Sequence, residues 1–100
     1  MGYKVQRWEG PGGPTEESIM NVCQSEGLSP YRWGNSPGDR YPAHEHSYHK
    51  VLYCLTGSIT FSIAGTDLQL RPGDRLDLDP RTQHEATVGP EGVTCLEANR

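Results

Sequence analysis

Beyond residue 30 the chain alternates apolar and polar positions with a period of two. In residues 58–64, Ile59, Phe61 and Ile63 fall on one face and Ser58, Thr60 and Ser62 on the other. That pattern predicts a strand with one face on a core and one in water. Leu68 and Leu70 mark the next strand. Leu76 and Leu78 then alternate with Arg75, Asp77 and Asp79, which reads as a solvated face. Ala86 and Val88 follow His84, and residues 93–97 form a last strand. Residues 50–55 are almost continuously apolar, the mark of a strand buried on both faces or close to it. Residues 31–34 and 40–46 are shorter candidates. Turn residues punctuate the series at 35–39, at Thr56-Gly57, at Gly65, at 71–74, at 80–82 and at 89–92. Seven or eight short strands so spaced predict an all-β sandwich or barrel, not a parallel α/β sheet.

The first thirty residues differ in period. Residues 3–8 alternate loosely and read as an edge strand, and the Gly- and Pro-rich run at 9–14 breaks regular structure. Ile19, Val22, Cys23 and Glu26 then recur at helical spacing, with Met20 widening the apolar stripe. Thr15 is placed to cap this helix, Glu16 and Glu17 sit where the helix dipole favours acids, and Gly27 provides the stop. A single helix in this position is suited to covering an open end or edge of the sheet.

A chain of 100 residues suits one domain, here read as residues 1–100 with a barrel core at about 30–97 and an N-terminal strand and helix in 1–28. The net charge of −4 comes with no basic run, so no nucleic-acid partner is expected. The longest apolar stretch, 51–55, is too short to cross a bilayer, and the first twenty residues lack a leader pattern. The expectation is a cytoplasmic protein with no membrane partner. Exposed sheet edges make a homodimer the expected assembly. Cys23, Cys54 and Cys95 are odd in number and show no CxxC spacing, so they read as reduced thiols. Cys54 and Cys95 fall in strand patterns and could face a pocket.

The candidate chemistry is concentrated in histidine. His44, His46 and His49 lie within six residues, and the remaining histidine is His84. Residues two apart on a strand share a face, which sets His44 and His46 roughly 6.6 Å apart on one side. Both imidazoles can then lean toward one ion at about 2.0–2.1 Å, with His84 as the third ligand. Glu45 between them points the other way.

These residues resemble the first motif of the cupin superfamily: a glycine, five residues, HxH, three or four residues, a glutamate, six residues and a glycine. Here Gly38, His44, His46 and Gly57 keep every spacing, with Lys50 at the glutamate position. Residues 79–84 resemble the second motif, a Pro- and Gly-containing loop delivering a histidine, with Arg81 where the family has glycine. The turn at 70–74 is similar to the family's turn between the motifs. The resemblance covers roughly residues 36–97 and implies a double-stranded β-helix, a jelly-roll-like barrel, with one short N-terminal helix. It also implies a divalent metal ion (Fe, Zn, Ni, Cu or Mn) at His44, His46 and His84.

Lys50 sits awkwardly in that picture, because an ammonium has no lone pair and is repelled by a divalent cation. Three arrangements resolve the conflict. The site is a three-histidine centre with open positions, or a bulge lets His49 serve as a fourth ligand, or no metal binds and the histidines hydrogen-bond a ligand. A one-residue shift would turn His49 to the opposite face, so an outward His49 is the simpler reading. Lys50, Tyr53 and Cys95 are candidate contacts to a small-molecule ligand, with Tyr48 a further candidate donor. The resemblance implies a dioxygenase-like oxidoreductase acting on a small organic molecule inside the barrel. The alternative is a non-enzymatic sensor or regulatory module in which Lys50 pairs with an anionic ligand.

Overall fold

The computed structural model describes residues 2–10 and 12–100. Met1 and Pro11, the latter inside the predicted break at 9–14, lie outside the described residues. In chain order the elements are β1 (Tyr3–Gln6), α1 (Glu16–Ser25), β2 (Tyr31–Asn35), β3 (Arg40–His44), β4 (Lys50–Ile63), β5 (Thr66–Leu70), β6 (Arg75–Leu78) and β7 (His84–Asn99). The helix begins as its sequence dictates. Thr15 caps it, with its hydroxyl accepting from the Ser18 amide at 3.1 Å while Ser18 Oγ accepts from the Thr15 amide.

All strand pairings are antiparallel, in the order β1-β6-β4-β7-β2, with β3 also on β7 and β5 also on β4. The fold is a double-stranded β-helix built around β4 and β7. The first half of β4 lies between β6 and β7, and its second half lies between β5 and β7. The long partner β7 likewise takes β3 on its first half and β2 on its second.

Two predicted turns are instead irregularities within these long strands. At Thr56-Gly57 the register between β4 and β7 shifts, and residues 89–92 have no partner on β4 where only Ser58 intervenes opposite. Gly57 and Gly92 both adopt positive φ, 73° and 78°, and a Cβ on Gly57 would collide with the Gly92 carbonyl. The turn residues therefore bend a continuous pair of strands instead of ending them. The bulge also exchanges the faces. Leu52 and Cys54 point inward before it and Ile59, Phe61 and Ile63 after it, so an even-numbered set gives way to an odd one.

Two apolar clusters result. The larger fills the barrel with Leu52, Ile59, Phe61, Leu70, Leu76 and Val88 among its members. The smaller lies on the outer face of the same strands, where Ile19 and Cys23 of α1 cover Val51, Tyr53, Leu96 and Ala98. Residues 50–55 look continuously apolar because both their faces are buried, one by the barrel interior and one by the helix. Among the described residues no helix is long and apolar enough to cross a membrane.

Candidate metal centre and pocket

β3 ends at His44, so His46 stands just beyond the strand. The chain holds it in place: the Arg81 amide donates to the His46 carbonyl at 2.7 Å, tying the first histidine segment to the loop that delivers His84. Arg81 has φ 66°, a conformation that favours glycine. The loop keeps its left-handed turn even though the side chain is an arginine.

His44 and His84 face each other across β3 and β7, directly paired in register. Their ring centroids lie 4.3 Å apart, with His46 at 4.8 Å from His44 and 5.2 Å from His84. One ring nitrogen from each of the three falls within 4.8 Å of the others. Nδ1 of His44 lies 2.8 Å from the Pro42 carbonyl, and Nδ1 of His84 lies 2.9 Å from the Thr82 carbonyl. A carbonyl accepts only, so each Nδ1 carries the proton and each Nε2 keeps a free lone pair. Nε2 of His46 and Nε2 of His84 are buried and have no hydrogen-bond partner among the described residues. Orphaned buried nitrogens are costly unless a ligand satisfies them. Burial holds the His46 and His84 imidazoles below the ordinary histidine range, reinforced by Lys50 and the other histidines. Neutral imidazoles with converging lone pairs fit a divalent cation.

These histidines lie in a pocket of about 440 Å³. Trp33, Tyr41, Tyr48 and Phe61 supply its aromatic walls, and Tyr31 stands at the wall on β2, half exposed. Tyr48 stacks on His46 with centroids 4.9 Å apart at 27°. Tyr41 donates its hydroxyl to Asn35 and meets Trp33 edge-on. Burial raises the phenols of Tyr41 and Tyr48 above their usual range, and pushes that of Tyr31 up to about 12.

Lys50 lines the pocket and is 7% exposed, with its ammonium 3.3 Å from Glu97 Oε1. Glu97, 5% exposed, also accepts from Trp33 Nε1 at 2.9 Å and from the Tyr31 hydroxyl at 2.8 Å. The unfavourable charge recognised in the sequence thus has a partner, and the pair is neutral as a whole. Glu97 was missed in the sequence, although a signal exists. Val93 and Cys95 are inward positions on β7, and the residue two further on shares their face. A charge at such a position stands out once the face is known.

Three other candidate residues lie away from the pocket. His49 faces outward, which removes the fourth-ligand alternative: Nε2 lies 3.1 Å from Asp77 and Nδ1 3.6 Å from Asp79. Tyr53 does not meet the pocket, since its position in β4 turns it under α1, where its hydroxyl accepts from Arg75 at 3.0 Å. Cys95 is fully buried in the barrel core opposite Cys54 and does not reach the pocket. Burial raises both thiols, Cys54 to about 12, which leaves them unreactive. Arg75 and Asp77 are also not a solvated face. Arg75 is buried and bonds Glu26, Asp77 and Tyr53 together.

Comparison with known proteins matches this architecture. The family model for the cupin domain matches residues 32–97. A DUF861 family protein from Thermotoga maritima superposes with a TM-score of 0.66 at 14% identity, covering 98% of this chain and 99% of that one. An RmlC-like cupin from Shewanella frigidimarina superposes with a TM-score of 0.64 at 19% identity, over 98% of this chain and 75% of that one. In sequence, 48 residues are 44% identical to a quercetin 2,3-dioxygenase of Bacillus subtilis, which is 47% of this chain but 14% of that protein. A double-stranded β-helix with both histidine motifs in register, matched by the family model over two thirds of its length, places the chain in the cupin domain family.

Proposed function

We propose that the protein is a small metalloenzyme of dioxygenase type that holds one divalent metal ion on Nε2 of His44, His46 and His84. Its substrate is a small organic molecule bound against the aromatic walls of the pocket. The observation that carries this reading is the pair of buried, partnerless Nε2 atoms on His46 and His84. A structural histidine cluster would satisfy those atoms with carbonyls or hydroxyls, as the chain has done for the two Nδ1 atoms. The local identity to a quercetin 2,3-dioxygenase supports the reaction class.

An ion in this position would supply Lewis acidity and, if redox-active, the electron exchange that dioxygen chemistry requires. The chain's own residues do the rest. The Pro42 and Thr82 carbonyls fix the tautomers of His44 and His84, and Tyr48 holds the ring plane of His46 by stacking. Trp33 and Phe61 narrow the pocket and displace water from a bound molecule. The Lys50–Glu97 pair adds no net charge, so the ammonium does not by itself bar a cation.

Elemental analysis of protein purified without added metal tests the reading. Near-stoichiometric metal that disappears in His46→Ala is expected, together with oxygen uptake on a panel of thiols, diketones and phenols. Metal below a tenth of an equivalent, roughly, or full retention in His46→Ala, would end the metal assignment. Metal without oxygen uptake would leave a binding module.

A further inference from the structure

The Lys50–Glu97 pair has a direction within the pocket. The carboxylate end is fixed by Trp33 and Tyr31 from β2, at 2.9 and 2.8 Å. The ammonium end lines the same pocket as His44, His46 and His84. The ammonium lies 3.3 Å from Glu97, beyond the roughly 2.7–2.9 Å of a charge-assisted hydrogen bond. Glu97 is its one ion-pair partner among the described residues. An ammonium has three donors, and this one is almost fully buried beside an open cavity. The carboxylate is well satisfied and the cation is not.

We infer that Lys50 is the anion-binding group of the pocket, that Glu97 positions it, and that the ligand is a small planar acid. Its carboxylate, or an equivalent anionic oxygen, lies between Lys50 and the histidine cluster, with its flat body against the aromatic walls. This rests on the pocket being the ligand site, and it deepens that reading by naming the ligand class. In the metal-free pocket Lys50 and Glu97 cancel in net charge, so an anion is drawn by the placement of the ammonium at the cavity wall.

Trp33 bonds Glu97 from within the pocket wall, so its fluorescence serves as the readout. Benzoate and the neutral isostere benzamide are titrated into the protein as purified and after chelation of metal. In the chelated protein benzoate is expected to bind about tenfold or more tightly than benzamide. Lys50→Met should bring the ratio near one while benzamide binding persists. If that single change unfolds the protein by leaving Glu97 buried alone, the double variant Lys50→Met with Glu97→Gln removes both charges and serves in its place. Glu97→Gln alone keeps a carbonyl acceptor and frees the ammonium, so benzoate should bind more tightly than in the wild type. The inference is overturned by any of three results: no measurable benzoate binding, a wild-type ratio near one, or a preference that survives Lys50→Met. These outcomes are separable from failure of the metal assignment, because the preference is measured without metal and metal content is measured without ligand.

Discussion

The two faces of the sheet both bury charged side chains, and they treat them in opposite ways. On the outer face, Arg75 is 7% exposed and is bonded through its guanidinium to Glu26 at 2.7 and 3.0 Å, to Asp77 at 2.8 and 3.2 Å and to the Tyr53 hydroxyl. His49 and Arg100 complete the cluster by bonding Asp77 and Glu26. On the inner face, among the described residues, two imidazole nitrogens have no partner and one ammonium has a single distant one. A closed network locks helix α1 and the strands together. An open one leaves binding capacity for something outside the chain. The same buried polarity thus serves structure on one face and points to function on the other.

Breaking the closed network should have the largest effect on stability. Arg75→Ala leaves Glu26, Asp77 and Tyr53 without their shared donor. A loss of about 3 kcal/mol is expected, at the low end for a broken buried pair because Glu26 keeps access to water. Urea denaturation measures it, and metal content per folded protein should not change. Loss of metal in Arg75→Ala would mean that the two faces are coupled.

The inner face should respond in the reverse sense. His84→Ala is expected to abolish metal binding, beyond the 10- to 100-fold or so that removing an outer partner costs. The metal-free protein should lose much less stability than in Arg75→Ala, since the imidazole removed has an orphaned nitrogen. Isothermal titration with zinc, paired with denaturation in chelator, separates the two effects. A metal-free His84→Ala that is as unstable as Arg75→Ala would show that the histidine is structural.

Much of this difference was legible in the sequence, and what was not has a physical reason. The alternation at 58–64 and the capped stripe from Thr15 to Gly27 marked out real elements, because local burial and capping decide them. The spacing of His44, His46 and His84 pointed to the cluster, and the direct pairing of His44 with His84 brings the motifs together. His46, however, lies just past the end of β3 and is held by the Arg81 amide, not by strand parity. Parity fails at a bulge. Gly57 and residues 89–92 read as turns because a bulge uses the same residues as a turn, and only pairing distinguishes them. Tyr53 was misplaced for a related reason: in a segment buried on both faces, hydrophobicity does not say which face is the barrel. Its neighbour Cys54 faces inward, and two adjacent strand residues cannot share a face. Glu97 and Arg75 were invisible as partners because each is paired across the fold, Arg75 with Glu26 of the distant helix.

The pH dependence sharpens the contrast, with a smaller effect. Burial first, then neighbouring positive charge, lowers the His46 and His84 pKa values from 6.5, so the folded state resists protonation more than the unfolded chain does. The stability of the metal-free protein should therefore be complete above about pH 6.5 and fall as pH drops through the depressed folded values. Zinc affinity should decline only below the ordinary histidine range, because protons compete poorly for these nitrogens. Thermal melts in chelator from pH 8 to 5 test the first statement, and a melting curve that is flat in wild type would contradict it. His84→Asn should flatten the profile partly, leaving the share due to His46.

The smallest effect concerns the loop that joins the two histidine segments. Arg81 holds φ 66° while its amide donates to the His46 carbonyl, and its side chain lies outward near Glu45 at 3.6 Å. An exposed pair of this kind contributes little. The backbone conformation, by contrast, costs a non-glycine residue about 1–2 kcal/mol. Glycine would relieve that strain while adding about 0.5–1 kcal/mol of unfolded-state entropy, so Arg81→Gly should stabilise the protein by roughly 0.5 kcal/mol. Zinc affinity should stay within about twofold, because the bond that holds His46 comes from the backbone amide, which glycine retains. A drop in zinc affinity with unchanged stability would show instead that the arginine side chain, through Glu45, orients the histidine segment.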